Sequence, residues 1–275
     1  MKTGVFAKTF PGTDPTAVLG ACRAAGFQSV QYNRACSGSG PLPEAISADA
    51  ANAVAAAAQA TGIEIAAISA TYNMTDPDPV RRAAGRRAFA AIAGRAGAMG
   101  TKLVTVCSGS LDPGDQWRRH PDNHTPAAWH DMCREFAHLL ELAEAHDILI
   151  GVEPEHANVV SSAPKARLLL DTFPGSRIRI VLDPANLLEG IAASRQRRLL
   201  DEAFDLLGPD LALAHVKDRD AGGLVVAAPM GIVDWPHYLG ALMAQGFDGH
   251  LIAHGMNADA APSVAEFLKR TLAAL

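Results

Sequence analysis

Eight short apolar segments, each followed by a stretch of helical character, recur along the whole chain of 275 residues. Most are β-branched or apolar nearly throughout, which is typical of strands buried on both faces of a parallel sheet. The segments lie at 4–10, 29–33, 64–70, 102–106, 148–153, 178–183, 211–216 and 250–254. Eight strands alternating with eight helices predict an α/β protein built as a closed (β/α)₈ TIM barrel.

Capping residues and prolines mark where the helices begin. Asp14-Pro15 and Thr125-Pro126 each pair a capping side chain with a proline, which is accepted in the first turn of a helix. The predicted helices span 14–26, 43–62, 79–99, 125–146, 162–171, 194–207, 235–245 and 263–275. No linker or composition break separates them, so we expect one domain over residues 1–275. An open doubly wound sheet is the alternative, but no G-x-G-x-x-G follows the first strand.

Charge and cysteine usage narrow the classes of partner. The net charge is −5 and no long Lys/Arg run is present, which argues against nucleic acid as the main partner. The four cysteines are widely spaced without a C-x-x-C, so we expect reduced thiols. Lys8 interrupts the apolar residues at the start, and no run approaches the ~18 apolar residues of a membrane span. We therefore expect a cytoplasmic protein with no membrane partner; a homo-oligomer is compatible with the sequence.

The last four predicted strands each end in a group that can bind a metal. Glu153, Asp183, His215 and His254 lie about 30–40 residues apart, the length of one strand–helix unit. In a barrel the carboxyl ends of the strands converge on the active site. Two carboxylates facing each other there repel unless a cation compensates them. Carboxylate oxygen with imidazole nitrogen suits Mn²⁺, Mg²⁺, Co²⁺ or Zn²⁺, so we predict a divalent-metal site formed by all four residues.

Other polar residues at this edge are candidates for substrate contacts. Asn73 follows the third strand, Asn186 lies three residues after Asp183, and Glu155 lies two residues after Glu153. For Glu155, a rim acid near Lys165 or Arg167 is an equally good alternative to a substrate contact.

The segment GSLDPGDQWRRHPDNHTPAAW after the fourth strand is the longest loop candidate, and loops of this length in a barrel are usually functional. Trp117 could stack on the apolar face of a sugar, while Arg118, Arg119 or His120 could engage hydroxyl, carboxylate or phosphate groups. We predict substrate contacts by Trp117, Arg118 and His120; an ordered lid or subunit contact is the alternative. The loop after the seventh strand has no cation beyond Arg219, so a phosphorylated substrate is permitted but not indicated.

Several motifs resemble a known family. The segments GVEPEHANVVSS, VLDPAN, HVKD, APMGIVDWPHYLGAL and GFDGHLIAHG resemble the sugar phosphate isomerase/epimerase family of the xylose isomerase-like TIM-barrel superfamily. The likeness spans the fifth strand to the end, and the first half matches in pattern, best at ISATYNM. In that family a Glu, an Asp, a His and a final Glu hold a divalent metal. The resemblance implies that Glu153, Asp183 and His215 are ligands.

Two positions depart from the family pattern. His254 stands where the final Glu is expected, which keeps a ligand but changes the charge of the site by one unit. In the family's epimerases that Glu is also one of two proton-shuttling bases. Asn186 stands where many relatives have a substrate-contacting His, and an amide cannot shuttle a proton at pH 7. The resemblance therefore carries the metal site over better than the two-base mechanism.

These observations predict a metal-dependent isomerase or epimerase that acts on a small sugar through proton transfer and an enediolate. Glu153 is the predicted base, and Lys217 or the Arg118/Arg119 pair would stabilise the oxyanion. A metal-dependent dehydratase or lyase on a cyclic polyol ketone, such as an inosose, begins with the same proton abstraction. A barrel that only binds a sugar or a partner protein is the other alternative. A trinuclear-zinc endonuclease would need more His and Glu ligands and a basic groove.

Overall fold

A closed barrel of eight parallel strands forms the centre of the molecule in the computed structural model, which describes residues 1–275. The strands are Lys2–Phe6, Ser29–Tyr32, Glu64–Ser69, Leu103–Cys107, Leu149–Glu153, Ile178–Leu182, Leu211–Val216 and His250–Ala253. Each strand pairs with its neighbours in sequence, and the first pairs with the eighth from Lys2 opposite His250 to Val5 opposite Ala253. The predicted (β/α)₈ barrel is confirmed.

Eight main helices surround the strands. They are Pro15–Ala24, Ala48–Thr61, Pro79–Ala96, Pro126–Ala145, Ala163–Thr172, Ala193–Leu207, Trp235–Ala244 and Ala261–Ala274. The predicted caps at Asp14 and Thr125 accept hydrogen bonds from backbone N–H groups three residues ahead. The second helix begins five residues later than predicted, because Ser47 supplies its cap and Pro43 lies before it. None of the helices has both the length and the hydropathy needed to cross a bilayer.

The first strand ends earlier than predicted. Its pairing with the second strand stops at Phe6 opposite Gln31, and a 3₁₀ turn over Ala7–Thr9 follows. The sequence predicted that this strand would continue to residue 10. It ends at Phe6 instead, so the aromatic ring of Phe6 lies at the strand end.

The barrel interior is filled rather than hollow. Six buried apolar side chains from five strands form a separate cluster inside it: Ala66, Ala67, Leu103, Val181, Leu213 and Ile252. The larger apolar core lies between the strands and the helices. Because this apolar cluster fills the interior, the buried polar side chains of the site lie at the carboxyl ends of the strands. Two short additions lie at this end: a helical turn, Pro184–Leu187, and a hairpin that pairs Asp218–Arg219 with Val225–Val226.

Candidate metal centre

The four predicted ligands converge at the carboxyl end of the barrel. One ligand atom from each of Glu153, Asp183, His215 and His254 lies within 4.8 Å of all the others. Asp183 and His215 are buried, whereas Glu153 and His254 are partly exposed. Strands five to eight are adjacent in the barrel, so their ends meet although the residues are distant in sequence.

Asp183 lies at the centre of the cluster. Its Oδ2 is 3.0 Å from Nε2 of His254, 3.7 Å from Nδ1 of His215 and 2.9 Å from Nζ of Lys217. Its other oxygen, Oδ1, accepts a hydrogen bond from the backbone N–H of Ala185 and caps the helical turn after the sixth strand. Cap formation therefore orients the carboxylate so that Oδ2 faces the other ligands.

His254 points into the cluster. Besides its contact with Asp183, its ring stacks on Phe6 at a centroid distance of 4.5 Å and meets the ring of His215 edge-on at 4.6 Å. Burial, together with repulsion from protonated His215 nearby, lowers the pKa of His254 to about 4. The imidazole is therefore neutral near pH 7 and keeps a lone pair that a metal can use.

The charges of the cluster balance without a metal ion. Burial opposes ionisation of Glu153 and Asp183, yet His215 beside Glu153 and Lys217 beside Asp183 hold both carboxyl pKa values below their usual range. Burial opposes charge on His215 as well, but Glu153 and Asp183 raise its pKa to about 9. The same carboxylates raise the pKa of Lys217 against the effect of burial. Two negative and two positive groups thus face one another. Lys217 therefore neutralises part of the carboxylate charge, for which the sequence predicted only a metal ion.

Asn186 and Lys217 form a buried link between the two carboxylates. The amide nitrogen of Asn186 donates to Oε1 of Glu153 at 2.8 Å, and the Lys217 ammonium donates to Oδ1 of Asn186 at 2.6 Å. The structure therefore brings these two predicted residues into the cluster, where their substrate-binding and catalytic roles stay predictions.

Gln31 is a member of the site that the sequence analysis missed. Its side-chain oxygen lies 2.9 Å from Nε2 of His215, although the residue belongs to the second strand. Its amide nitrogen donates to hydroxyl oxygens of Ser69 and Thr105 at 3.0 and 2.9 Å. An uncharged polar side chain in the middle of a short buried strand was the available signal, because such a group must find partners in the barrel interior.

A cavity of about 290 Å³ opens beside Glu153. Phe6 and Trp117 provide apolar surface in it, and Lys8 provides a cation at its lining. The volume lies just below the range of about 300–1,000 Å³ for small-molecule pockets. A larger cavity of about 610 Å³ lies beside the loops after the sixth and seventh strands and contains none of the four predicted ligands. The smaller cavity is therefore the candidate substrate site.

The long loop after the fourth strand contributes unevenly to this cavity. Trp117 lines it with a half-exposed side chain. Arg118 lies outside the lining and contacts Asp112 at 3.4 Å. His120 also lies outside, where its Nδ1 accepts a hydrogen bond from the backbone N–H of Asp122 and caps a short 3₁₀ turn. Of the three predicted contacts in this loop, the structure brings Trp117 to the cavity and leaves Arg118 and His120 away from it.

Asn73 joins two neighbouring loops. Its amide nitrogen donates to the carbonyl of Ser110 at 2.8 Å, and its oxygen accepts from the N–H of Ser110 at 3.0 Å. This paired contact holds the loop after the third strand against the loop after the fourth. A structural role therefore explains Asn73 without a ligand.

Glu155 lies near the cluster and not in a rim ion pair. Arg167 pairs with Asp171 and Asp210, and Lys165 lies over the ring of Trp129, so neither cation contacts Glu155. Burial raises the pKa of Glu155 to about 7, although the charge of Lys217 partly opposes the shift. Glu155 therefore forms no ion pair with either cation named in the rim-acid alternative, and its substrate-binding role stays a prediction.

The donor set fits a divalent ion. Two carboxylate oxygens and two imidazole nitrogens lie within 4.8 Å of one another, a span close to the at most about 4.4 Å that separates two ligands lying about 2.0–2.2 Å from a common centre. Thiolate ligands are absent from the cluster, which favours ions that accept oxygen and nitrogen. The cluster could therefore hold a metal ion of the predicted kind.

Several solved structures are similar in fold to this chain. The E. coli 3-keto-D-glucoside 4-epimerase YcjR is 17% identical with a TM-score of 0.76, and the match covers 98% of this chain and 99% of that one. The D-psicose 3-epimerase of Clostridium cellulolyticum, solved with D-tagatose, is 16% identical with a TM-score of 0.75 and 99% of both chains covered. The probable 3-DHS dehydratase AsbF of Bacillus anthracis is 13% identical with a TM-score of 0.77, and 98% of this chain and 99% of that one are covered. At these identities the likeness establishes the fold.

A search of curated proteins finds no match. A family model described as xylose isomerase-like TIM barrel matches residues 19–271, which is nearly the whole chain. The superfamily that the motifs at strands five to eight resemble is thereby confirmed. The chain belongs to the xylose isomerase-like TIM barrel family.

Proposed function

We propose that this protein is a divalent-metal-dependent enzyme that isomerises or epimerises a small sugar or sugar phosphate by moving a proton at a carbon beside a carbonyl. The cluster of Glu153, Asp183, His215 and His254 would hold the ion, and the adjacent cavity would hold the substrate. The similar solved structures that are sugar epimerases support a carbohydrate substrate.

The different surroundings of the two oxygens of Glu153 carry this proposal. Oε1 faces the cluster, with Nδ1 of His215 at 3.3 Å and the amide of Asn186 at 2.8 Å. Oε2 has only the thiol of Cys107, at 3.8 Å, and the residue lines the cavity. One oxygen can therefore remain a ligand while the other accepts a proton.

A divalent ion, when bound, polarises adjacent carbonyl and hydroxyl oxygens and so acidifies the carbon between them. Glu153 is ionised at neutral pH because His215 lowers its pKa, and it takes the proton from that carbon. The Lys217 ammonium stabilises the negative charge that develops on the enediolate oxygen. Phe6 and Trp117 cover apolar faces of the sugar.

The fate of the proton separates the two reactions. If Glu153 returns the proton to the neighbouring carbon, and the hydroxyl proton passes to the former carbonyl oxygen, the substrate is isomerised. Inversion at a single carbon requires delivery from the opposite face and therefore a second proton carrier. His254 replaces the second carboxylate of the family pattern, and its low pKa makes it a weak base. This difference favours isomerisation by one base.

Exchange of substrate hydrogen with solvent deuterium tests the proposal. The purified protein is analysed for bound metal and then assayed with ketoses and ketose phosphates in the presence of Mn²⁺, Mg²⁺, Co²⁺ or Zn²⁺. We expect deuterium incorporation with the wild type and none with Glu153→Gln, which keeps the size of the side chain but cannot accept the proton. Glu189→Gln is the control, because Glu189 pairs with Arg219 away from the four ligands. Normal turnover by Glu153→Gln would defeat the assignment.

The same assay distinguishes a dehydratase. Elimination of a hydroxyl group beside the carbanion would give a product that has lost one water, whereas an isomer or epimer keeps the mass of the substrate. The fold shared with a dehydratase makes a cyclic polyol ketone a necessary member of the panel. A barrel that only binds a sugar would show a bound sugar and no exchange with any ion.

A further inference from the structure

The geometry points to Gln31 as the positioning residue that selects the metal-binding nitrogen of His215. This inference rests on the metal site of the proposed function, but not on which reaction the enzyme catalyses. Gln31 is only 3% exposed, and its second-strand position is 184 residues before His215 in sequence. The hydrogen bond between them crosses the barrel.

The two ring nitrogens of His215 have opposite surroundings. Nδ1 faces Oε1 of Glu153 at 3.3 Å and Oδ2 of Asp183 at 3.7 Å. Nε2 faces the carbonyl oxygen of Gln31 at 2.9 Å. A carbonyl oxygen can only accept, so the proton of a neutral imidazole must lie on Nε2. Nδ1 then keeps the lone pair and faces the other ligands.

Gln31 has hydrogen-bond partners at both ends of its amide. When its oxygen faces His215, its two amide protons are donated to Oγ of Ser69 and Oγ1 of Thr105, from the third and fourth strands. All hydrogen-bonding atoms of the amide are thereby used in a buried setting. Turning the amide by 180° would place N–H groups against Nε2 and favour the wrong tautomer of His215.

Aromatic contacts hold the plane of the imidazole. Phe6 meets the ring of His215 edge-on at a centroid distance of 5.2 Å, and His254 meets it at 4.6 Å. With the plane held by packing and the tautomer held by Gln31, Nδ1 is fixed as the ligand atom. Metal-binding histidines generally use such an outer partner, and its loss typically lowers metal affinity about 10- to 100-fold.

Replacement of Gln31 by methionine tests the inference. Methionine has a similar length but offers His215 only a weak acceptor in place of the amide oxygen. We expect Gln31→Met to weaken Mn²⁺ binding about 10- to 100-fold in calorimetry. Gln31→Glu restores an acceptor and should recover most of the affinity. Ser69→Ala removes one support of Gln31 and should weaken binding less than Gln31→Met does.

Nuclear magnetic resonance of protein labelled with ¹⁵N-histidine gives a readout that does not depend on activity. In the wild type we expect a slowly exchanging Nε2–H signal from His215, in both the metal-free and the Zn²⁺-loaded protein, and its loss in Gln31→Met. Circular dichroism identifies any variant that fails to fold. If Gln31→Met is such a variant, Gln31→Glu then shows whether Gln31 positions His215 or only supports the fold. Retention of both the signal and wild-type Mn²⁺ affinity in Gln31→Met would overturn the inference. A wild type with the signal but no affinity for any of the four ions would instead reject the metal site.

Discussion

Replacement of Lys217 by methionine tests whether the cluster is electrically balanced in the metal-free protein. Lys217 is buried, and its ammonium lies 2.9 Å from Oδ2 of Asp183. At that distance and an effective dielectric constant of about 20, the attraction is about 6 kcal/mol, part of which offsets the cost of burying both charges. Removal of one partner of such a pair costs about 3–5 kcal/mol, because the other charge remains buried without compensation.

A divalent ion should reverse most of this loss. Without Lys217 the carboxylates of Glu153 and Asp183 face only the single positive charge of His215, so an added ion replaces the missing charge. We expect the Tm of Lys217→Met in EDTA to be roughly 6–20 °C below that of the wild type. Saturating Mn²⁺ should narrow this gap, while activity stays low because the oxyanion has lost its stabilising ammonium.

Thermal unfolding followed by circular dichroism at pH 8, with EDTA and with Mn²⁺, measures both effects. Lys165→Met is the matched control, since Lys165 lies over Trp129 and forms no ion pair in the cluster. Its Tm should stay close to that of the wild type. If Lys217→Met unfolds in EDTA at the wild-type temperature, or if Mn²⁺ raises both Tm values equally, the charge argument is wrong.

Three further outcomes follow from the structure. His215 is protonated below its pKa of about 9 and must lose a proton to bind a metal. The apparent Mn²⁺ affinity should therefore rise about tenfold per pH unit from pH 6 to 8 and level off near pH 9. A flat pH profile in calorimetry would contradict this. Gly85→Ala would place a Cβ atom in steric overlap with the ring of Tyr72 and should lower the free energy of unfolding by about 1–3 kcal/mol in denaturant unfolding, although alanine favours helices. A more stable variant would show that the ring can move. Trp117→Ala should raise KM about two- to tenfold and leave Tm unchanged, because the side chain is half exposed; an unchanged KM would remove Trp117 from the substrate site.

The fold could be predicted because its signals are local. Apolar runs of strand length, helix caps such as Asp14 and Thr125, and the regular spacing of both depend on neighbouring residues only. The errors lie at element boundaries, where more than one residue could end a strand or begin a helix. The first strand stops at Phe6, where the 3₁₀ turn over Ala7–Thr9 begins, and the second helix starts after its cap, Ser47, instead of at Pro43.

The ligand set could also be predicted, since parallel strands of one barrel all end at the same edge. Side-chain direction within the long loop could not. Trp117 reaches the cavity. Its neighbour Arg118 pairs with Asp112, and His120 accepts a hydrogen bond from the backbone N–H of Asp122. Adjacent loop residues have no periodicity that distinguishes inside from outside, so their directions depend on contacts formed only in the folded chain.

By itself, the sequence determined the barrel and the convergence of Glu153, Asp183, His215 and His254, because strand order and strand ends follow from the pattern along the chain. The tertiary structure alone decided how those groups are oriented and charged. Lys217 enters the cluster as a counter-charge, and Gln31 crosses the barrel to His215. The first contact joins the ends of two neighbouring strands and the second joins strands 184 residues apart. Burial there makes hydrogen bonds and charges strong enough to select the tautomer and protonation state of each ligand.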